Sequence, residues 1–143
     1  MNAMKLGESL WTRHLDYIRV LDEIVERSCI RGESGVLLYL YHVGRPMNPG
    51  ELTEKLGLTT GRIANILREL EASDYIVRTP DARDKRRVRV ALTPAGEVLA
   101  RQQNAKALAF HEELLSRLDP GEAEQFLSVM RRMTDIVDRE MDR

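Results

Sequence analysis

Apolar residues recur along this chain at two periods, and the change of period divides it. Leu10, His14, Tyr17, Leu21 and Ile24 or Val25 return at steps of three and four, with Met4, Leu6 and Ile18 beside them. That spacing predicts a helix over residues 6–28. Arg31-Gly32 breaks it. Ser34 is placed to cap a second, short helix that runs through Tyr41 and ends at Gly44. Residues 36–41 are apolar on nearly all sides, so this helix is expected to be buried on more than one face.

Three helix starts are marked by a cap followed by proline: Asn48-Pro49 with Glu51, Thr93-Pro94, and Asp119-Pro120 with Glu122. The first opens a helix over 48–56, with Leu52 and Leu56 on its apolar side. Gly57 permits a tight turn, Leu58 plugs it, and Thr59 or Thr60 caps the next helix. There Ile63, Ile66, Leu67 and Leu70 form one buried stripe, while Thr60, Gly61, Arg62, Asn65, Arg68 and Glu69 lie opposite. Two helices at a glycine turn, the second presenting small polar residues and Arg near its start, form a helix-turn-helix pattern. Leu52, Gly57, Leu58, Ile63 and Ile66 are expected to lock the pair.

The period then drops to two. Residues 74–78 read as a strand ended by Pro80, 81–87 as a loop, and Val88-Arg89-Val90-Ala91-Leu92 as a return strand. Long helices follow over 93–115 and 120–141. The last carries Phe126, Val129, Met130, Met133, Ile136, Val137 and Met141 as a continuous apolar stripe. The expected fold is mainly α with a small β wing. It is a winged helix-turn-helix with helices from both termini added, divided as 1–32, 33–92 and 93–143.

Composition adds little until charge is located. The 143 residues carry a formal net charge of −1, so no global basic excess marks a nucleic-acid binder. Between Arg78 and Arg89, however, six basic residues face two acidic ones, a local charge of +4. Distribution, not the total, sets what such a loop attracts. A single cysteine, Cys29, excludes an intrachain disulfide and fits a reducing compartment. The longest apolar run is too short to span a membrane, and the N-terminus has no signal-peptide core. The expectation is a cytoplasmic protein with no membrane partner. His14, His42 and His111 sit in no metal-ligand spacing, and no nucleophile–base set is present. Neither an enzyme nor a cofactor is expected.

The order of parts resembles the MarR family of bacterial transcription regulators over essentially the whole length. The carriers are Asp81-x-Arg83-Asp84-x-Arg86-x-Val88-x-Val90-x-Leu92-Thr93-x-x-Gly96, and Glu51-Leu52 through Leu56-Gly57-Leu58-Thr59 with Ile63 and Leu70. Thr53 departs mildly from the family, which often has Ala there. The resemblance implies a homodimer in which residues 1–32 and 93–143 supply dimerisation helices around a DNA-binding region at 33–92. It implies a transcription regulator, most often a repressor, that binds double-stranded DNA.

On that reading the second motif helix enters the major groove through Thr59, Thr60, Gly61, Arg62 and Asn65. Arg62 has the geometry to read guanine and Asn65 to read adenine, with Thr59 and Thr60 on phosphate. Arg68 lies further along and reads equally as a solvated surface charge. In the wing, Arg86 is expected in the minor groove with Asp84 orienting its guanidinium, and Arg83, Lys85 and Arg87 on phosphates. The family's small aromatic or anionic effector would be lined by Trp11, Arg13, His14, Tyr17 and Tyr41, with Tyr39 read as core. Other readings remain. The chain is then a winged-helix module that binds protein, or a regulator that senses metal (His111 with Glu112) or oxidants through Cys29, near Arg27 and Arg31.

Overall fold

Backbone hydrogen bonds closed by short polar side chains set several of the helix starts. A computed structural model describes residues 2–27 and 31–141, with Tyr17, Arg27 and Met141 in backbone only. The order is α1 (Ala3–Thr12), α2 (His14–Arg27), α3 (Gly32–Val43), α4 (Pro49–Leu56), α5 (Thr60–Ala72), β1 (Ile76–Pro80), β2 (Val88–Leu92), α6 (Pro94–Leu115) and α7 (Pro120–Met141). No described helix is long and apolar enough to cross a membrane. The chain divides into two units, Met1–Ala107 and Leu108–Arg143.

In the first unit the expected helix over 6–28 is two helices. It starts earlier, capped by the Asn2 side chain on Lys5 N at 3.0 Å, and breaks at Arg13, which leaves the helical region at φ −106°, ψ 9°. Local bonds explain the break. The Thr12 hydroxyl donates to the Glu8 carbonyl and the His14 ring engages the Trp11 carbonyl, so side chains occupy carbonyls next to the break and bend the helix there. Its expected end at residue 28 lies outside the described residues.

The second helix also departs from expectation. It begins at Gly32 behind Arg31, which makes no side-chain cap, and Ser34 lies inside the first turn rather than capping it. Gly32 at φ +62° makes this turn from the left-handed region, where glycine is free of the Cβ clash. The other end is as expected, with Gly44 left-handed at φ 66°.

α4 realises the full capping box. The Asn48 side chain accepts from Glu51 N at 2.9 Å, and the Glu51 carboxylate accepts from Asn48 N at 2.8 Å. Gly57 then turns the chain left-handed, and Thr59 caps α5 by accepting from Arg62 N at 3.2 Å. Leu52, Ile63, Ile66, Leu67 and Leu70 are at most 1% exposed. They form one core with Val36, Leu37, Leu40, Met47, Ile76, Val90 and Ala100, with Leu56, Leu58 and Tyr39 packed against it. Each fully buried leucine contributes about 1.5–3 kcal/mol relative to an exposed one.

β1 and β2 pair antiparallel from Ile76↔Leu92 to Pro80↔Val88. The first strand therefore starts two residues later than predicted and runs through Pro80, which is its last residue. The reason is a third partner. Met47 and Val90 exchange both backbone bonds, at 2.9 and 2.7 Å. β2 thus lies in the middle and β1 at the edge, where proline is tolerated.

α6 is joined tightly to the root of β1. The Thr93 hydroxyl donates to the Asp74 carbonyl at 2.6 Å and accepts from Gly96 N at 3.0 Å, while Thr93 N donates to the Tyr75 carbonyl at 3.1 Å. A Cβ on Gly96 would stand 1.9 Å from that carbonyl oxygen, so only glycine allows the approach. Asp74 itself sits at φ 59°.

In the second unit α7 opens as expected, the Glu122 carboxylate accepting from Asp119 N at 3.1 Å. Its stripe of Phe126, Val129, Met130, Met133, Ile136 and Val137 is exposed.

Candidate nucleic-acid interface

The exposed face of α5 is polar because its other face is consumed by the core. Thr60, Gly61, Arg62 and Asn65 are all exposed. Thr59, also exposed, is the one that caps. Arg62 is not electrostatically isolated. Glu33 at the start of α3 has its carboxyl raised above the usual carboxylate range, first by a hydrogen bond with Glu69, then by burial and the Glu69 charge. Arg62 opposes that rise. Along the same face, Arg68 Nη2 donates to Asn65 Oδ1 at 3.0 Å, so Arg68 has a specific partner there.

The loop after β1 is built on Asp81. Its backbone N donates to the Arg87 carbonyl at 2.8 Å, closing the loop, and Arg87 N donates to the Asp84 carbonyl at 2.9 Å. The Asp81 carboxylate accepts from Arg83 N at 2.8 Å and Asp84 N at 3.2 Å. These backbone bonds, helped by Arg89 and Arg83, hold its carboxyl below the usual carboxylate range. The Asp84 carboxylate accepts from Arg86 N at 3.0 Å and pairs with Arg87 Nε at 3.6 Å. Asp84 therefore shapes the loop at Arg86 through its backbone, and its ion pair is with Arg87 rather than with the Arg86 guanidinium. Arg83, Lys85, Arg86 and Arg87 are all exposed.

A chain of ion pairs ties this loop to the helix-turn-helix. Arg89 Nε meets Asp81 at 3.2 Å, and Arg89 Nη1 reaches Glu51 at 4.0 Å. Glu51 also pairs with Arg45 at 3.0 Å while closing the α4 cap. Its carboxyl is lowered, first by the Asn48 backbone bond and then by Arg45 and Arg89, against the opposing effect of burial. Sequence reasoning counted Arg89 only as a basic residue and missed Arg45 and Glu51 as its network. The usable signal was period two, which sends Arg89 to the face opposite Val88 and Val90.

The expected effector residues do not converge. Trp11 is 74% exposed and stacks on His14, with ring centroids 4.7 Å apart and planes 14° from parallel. Arg13 is exposed at the break between α1 and α2, and the Tyr17 side chain is outside the described set. Tyr41 lines a cleft of about 310 Å³ with Leu40, Gly44, Arg45, Pro46, Ala91, Leu92 and Glu97. None of Trp11, Arg13 or His14 lines it. Among the described residues no three His, Cys, Asp or Glu gather as a metal site. Cys29 lies outside them.

A left-handed glycine turn between two locked helices, followed by an antiparallel hairpin with a basic tip, defines a winged helix-turn-helix protein. The sequence model described as MarR family matches residues 30–87. The HTH-type transcriptional regulator YcgE of Bacillus subtilis is 29% identical over 98 residues, which are 68% of this chain and 64% of YcgE. The match thus spans less than two thirds of that relative. The crystal structure of MepR, a transcription regulator of the Staphylococcus aureus multidrug efflux pump MepA, aligns with TM-score 0.63 and 25% identity over 90% of this chain and 97% of MepR. Streptococcus pneumoniae FabT, crystallised in complex with DNA, shares the fold at TM-score 0.72 and 18% identity, over 90% of this chain and 98% of FabT. Over residues 30–87, less than half of its length, the chain is similar to the MarR family.

Proposed function

We propose that the protein is a sequence-specific, DNA-binding transcription regulator that acts as a homodimer. Residues 33–92 form its DNA-binding region, and 1–32 with 93–143 supply the dimer helices. α5 enters the major groove through Thr60, Gly61, Arg62 and Asn65, and Thr59 brings the helix N-terminus onto a phosphate. Arg86 enters the minor groove, and Arg83, Lys85 and Arg87 meet phosphates.

The observation that carries this reading is the wing. Its +4 excess, counted from Arg78 to Arg89, surrounds a loop held in shape by five backbone and carboxylate bonds around Asp81, Asp84 and Arg87. A hairpin needing only a turn has no use for so many cations. FabT, whose fold the chain shares, was crystallised in complex with DNA, which supports DNA as the partner.

A homodimer is supported by the apolar stripes. Met4, Leu10, Trp11, Leu15, Ile18 and Leu21 in the first unit, and the α7 stripe in the second, are each 43% or more exposed. Contiguous apolar patches on that scale mark interaction surfaces. A two-fold dimer reads half-sites roughly 10 base pairs apart, centre to centre. Repression is the family's commonest mode, and the effector site is assigned to the cleft at Tyr41 and Arg45. An effector there acts by favouring a dimer shape that no longer fits the operator.

Enrichment of bound duplexes from a random pool, followed by titration across a salt series, tests the reading. Expected is a selected pseudo-palindrome whose affinity falls steeply with salt. Arg86→Ala weakens that binding by about 1–3 kcal/mol. Selection of no sequence at low salt overturns the function, and unchanged affinity in Arg86→Ala removes the wing from it.

A further inference from the structure

The bond from Arg68 Nη2 to Asn65 Oδ1, 3.0 Å on the exposed face of α5, has a consequence for base reading. An asparagine amide presents an oxygen on one side and an NH2 on the other, and a free side chain can turn either outward. A guanidinium carries only donors. The atom turned toward Arg68 must therefore be Oδ1, which leaves Nδ2 on the other side of the amide. Oδ1 keeps a second lone pair.

Adenine read in the major groove offers N6–H as donor beside N7 as acceptor, whereas guanine offers two acceptors, O6 and N7. An amide held with Oδ1 and Nδ2 in fixed places matches adenine atom for atom. Against guanine the fixed Oδ1 would face O6, and two acceptors repel. The held amide also has less rotamer freedom left to lose on binding. Residues three apart on a helix are surface neighbours, so the pair is available before DNA arrives.

Resting on the DNA-binding reading above, we propose that Arg68 is a positioning residue that fixes the amide polarity of Asn65 and so makes this helix discriminate adenine from guanine at one operator position. Arg68 itself touches no base in this role. Its contribution is a neutral property, donation of a hydrogen bond, and not its charge.

That distinction sets the test. Arg68→Gln removes the charge and keeps a donor, while Arg68→Met removes both. Each variant, with Asn65→Ala and the double variant Asn65→Ala/Arg68→Met, is titrated against the duplex enriched by the wild type and against its single base-pair replacements, across a salt series. Thermal melting confirms that each variant is folded. Expected is that Asn65→Ala erases the preference at one base pair. Arg68→Met reduces adenine-over-guanine discrimination at that same pair by about tenfold, Arg68→Gln retains most of it, and both share one salt slope. On the Asn65→Ala background, Arg68→Met has no further effect on that preference.

Met and Gln variants that behave alike overturn the proposal, whether both are unchanged or both lose affinity for every duplex equally. The latter pattern is that of a phosphate contact. An Asn65→Ala variant that erases no base preference overturns it as well. If the wild type enriches no duplex, the DNA-binding reading falls and this inference falls with it. A wild type that enriches one while Met and Gln stay equal removes this inference alone.

Discussion

Asp81 carries more of the wing than any cation in it. Its carboxylate takes two backbone N–H groups and the Arg89 guanidinium, and its lowered pKa is the thermodynamic trace of those bonds. A carboxyl whose folded pKa lies below its unfolded value contributes stability above the unfolded value and loses it as pH falls through the folded one. Glu51 shifts in the same direction, and Glu33 in the opposite one. Acid destabilisation below about pH 4, the ordinary carboxylate range, is therefore expected to be smaller in Asp81→Asn than in the wild type. Chemical denaturation at several pH values from neutral to about pH 2.5 would show it, and equal pH slopes in the two proteins would sink the idea. At this scale the sequence was legible for caps and less so for ion pairs. Asn48, Pro49 and Glu51 lie within four residues and could be read directly. The Glu51–Arg89–Asp81 chain joins residues up to 38 positions apart, and no local period encodes which partner a surface arginine finds. Asp84 shows the same limit, since it was expected to hold the Arg86 guanidinium and the loop geometry pairs it with Arg87 instead.

At the scale of elements, the helix-turn-helix and the return strand follow from periodicity and turn chemistry. Two of the boundaries that moved have a neighbour beside them that takes up backbone groups. Thr12 and His14 took carbonyls at the α1–α2 break, and Met47 became a partner for Val90, leaving β1 as the edge that accepts Pro80. A single residue between helices carries no strand period, so Met47 read as a connector. The joint between β1 and α6 was present in the sequence only as Thr93-x-x-Gly96. Its cause is the 1.9 Å that a Cβ would leave to the Tyr75 oxygen. Gly96→Ala must push backbone from backbone, and overpacking of that kind costs about 1–3 kcal/mol or more. The melting midpoint is expected to fall by roughly 4–12 °C. A midpoint unchanged in calorimetry would show that the joint yields without cost.

For the whole molecule, the buried core belongs to residues around the winged region, from Val36 to Ala100. The helices outside it expose their apolar stripes. Covered surface of this kind is expected in a partner chain, so sedimentation should give twice the chain mass at micromolar concentration. Replacing Ile136 and Val137 together by Glu should shift the protein toward the monomer and weaken operator binding. A wild type that sediments as a monomer removes the dimer, and with it the paired half-sites. The amphipathic stripes were plain in the sequence, whereas the lining of the cleft at Tyr41 was not. Trp11 and His14 were grouped with Tyr41 by chemistry, and the cleft at Tyr41 is instead completed by β2 and the start of α6.

The Thr93–Gly96 joint is a hinge with its pin welded. Two hydrogen bonds from Thr93, its cap on Gly96 N and one missing methyl hold the first turn of α6 close against the root of β1. Helix and hairpin are one rigid lever there. A tilt at the start of α6 is then expected to be felt at the root of the wing. Steering of the basic loop then needs no contact with the loop at all.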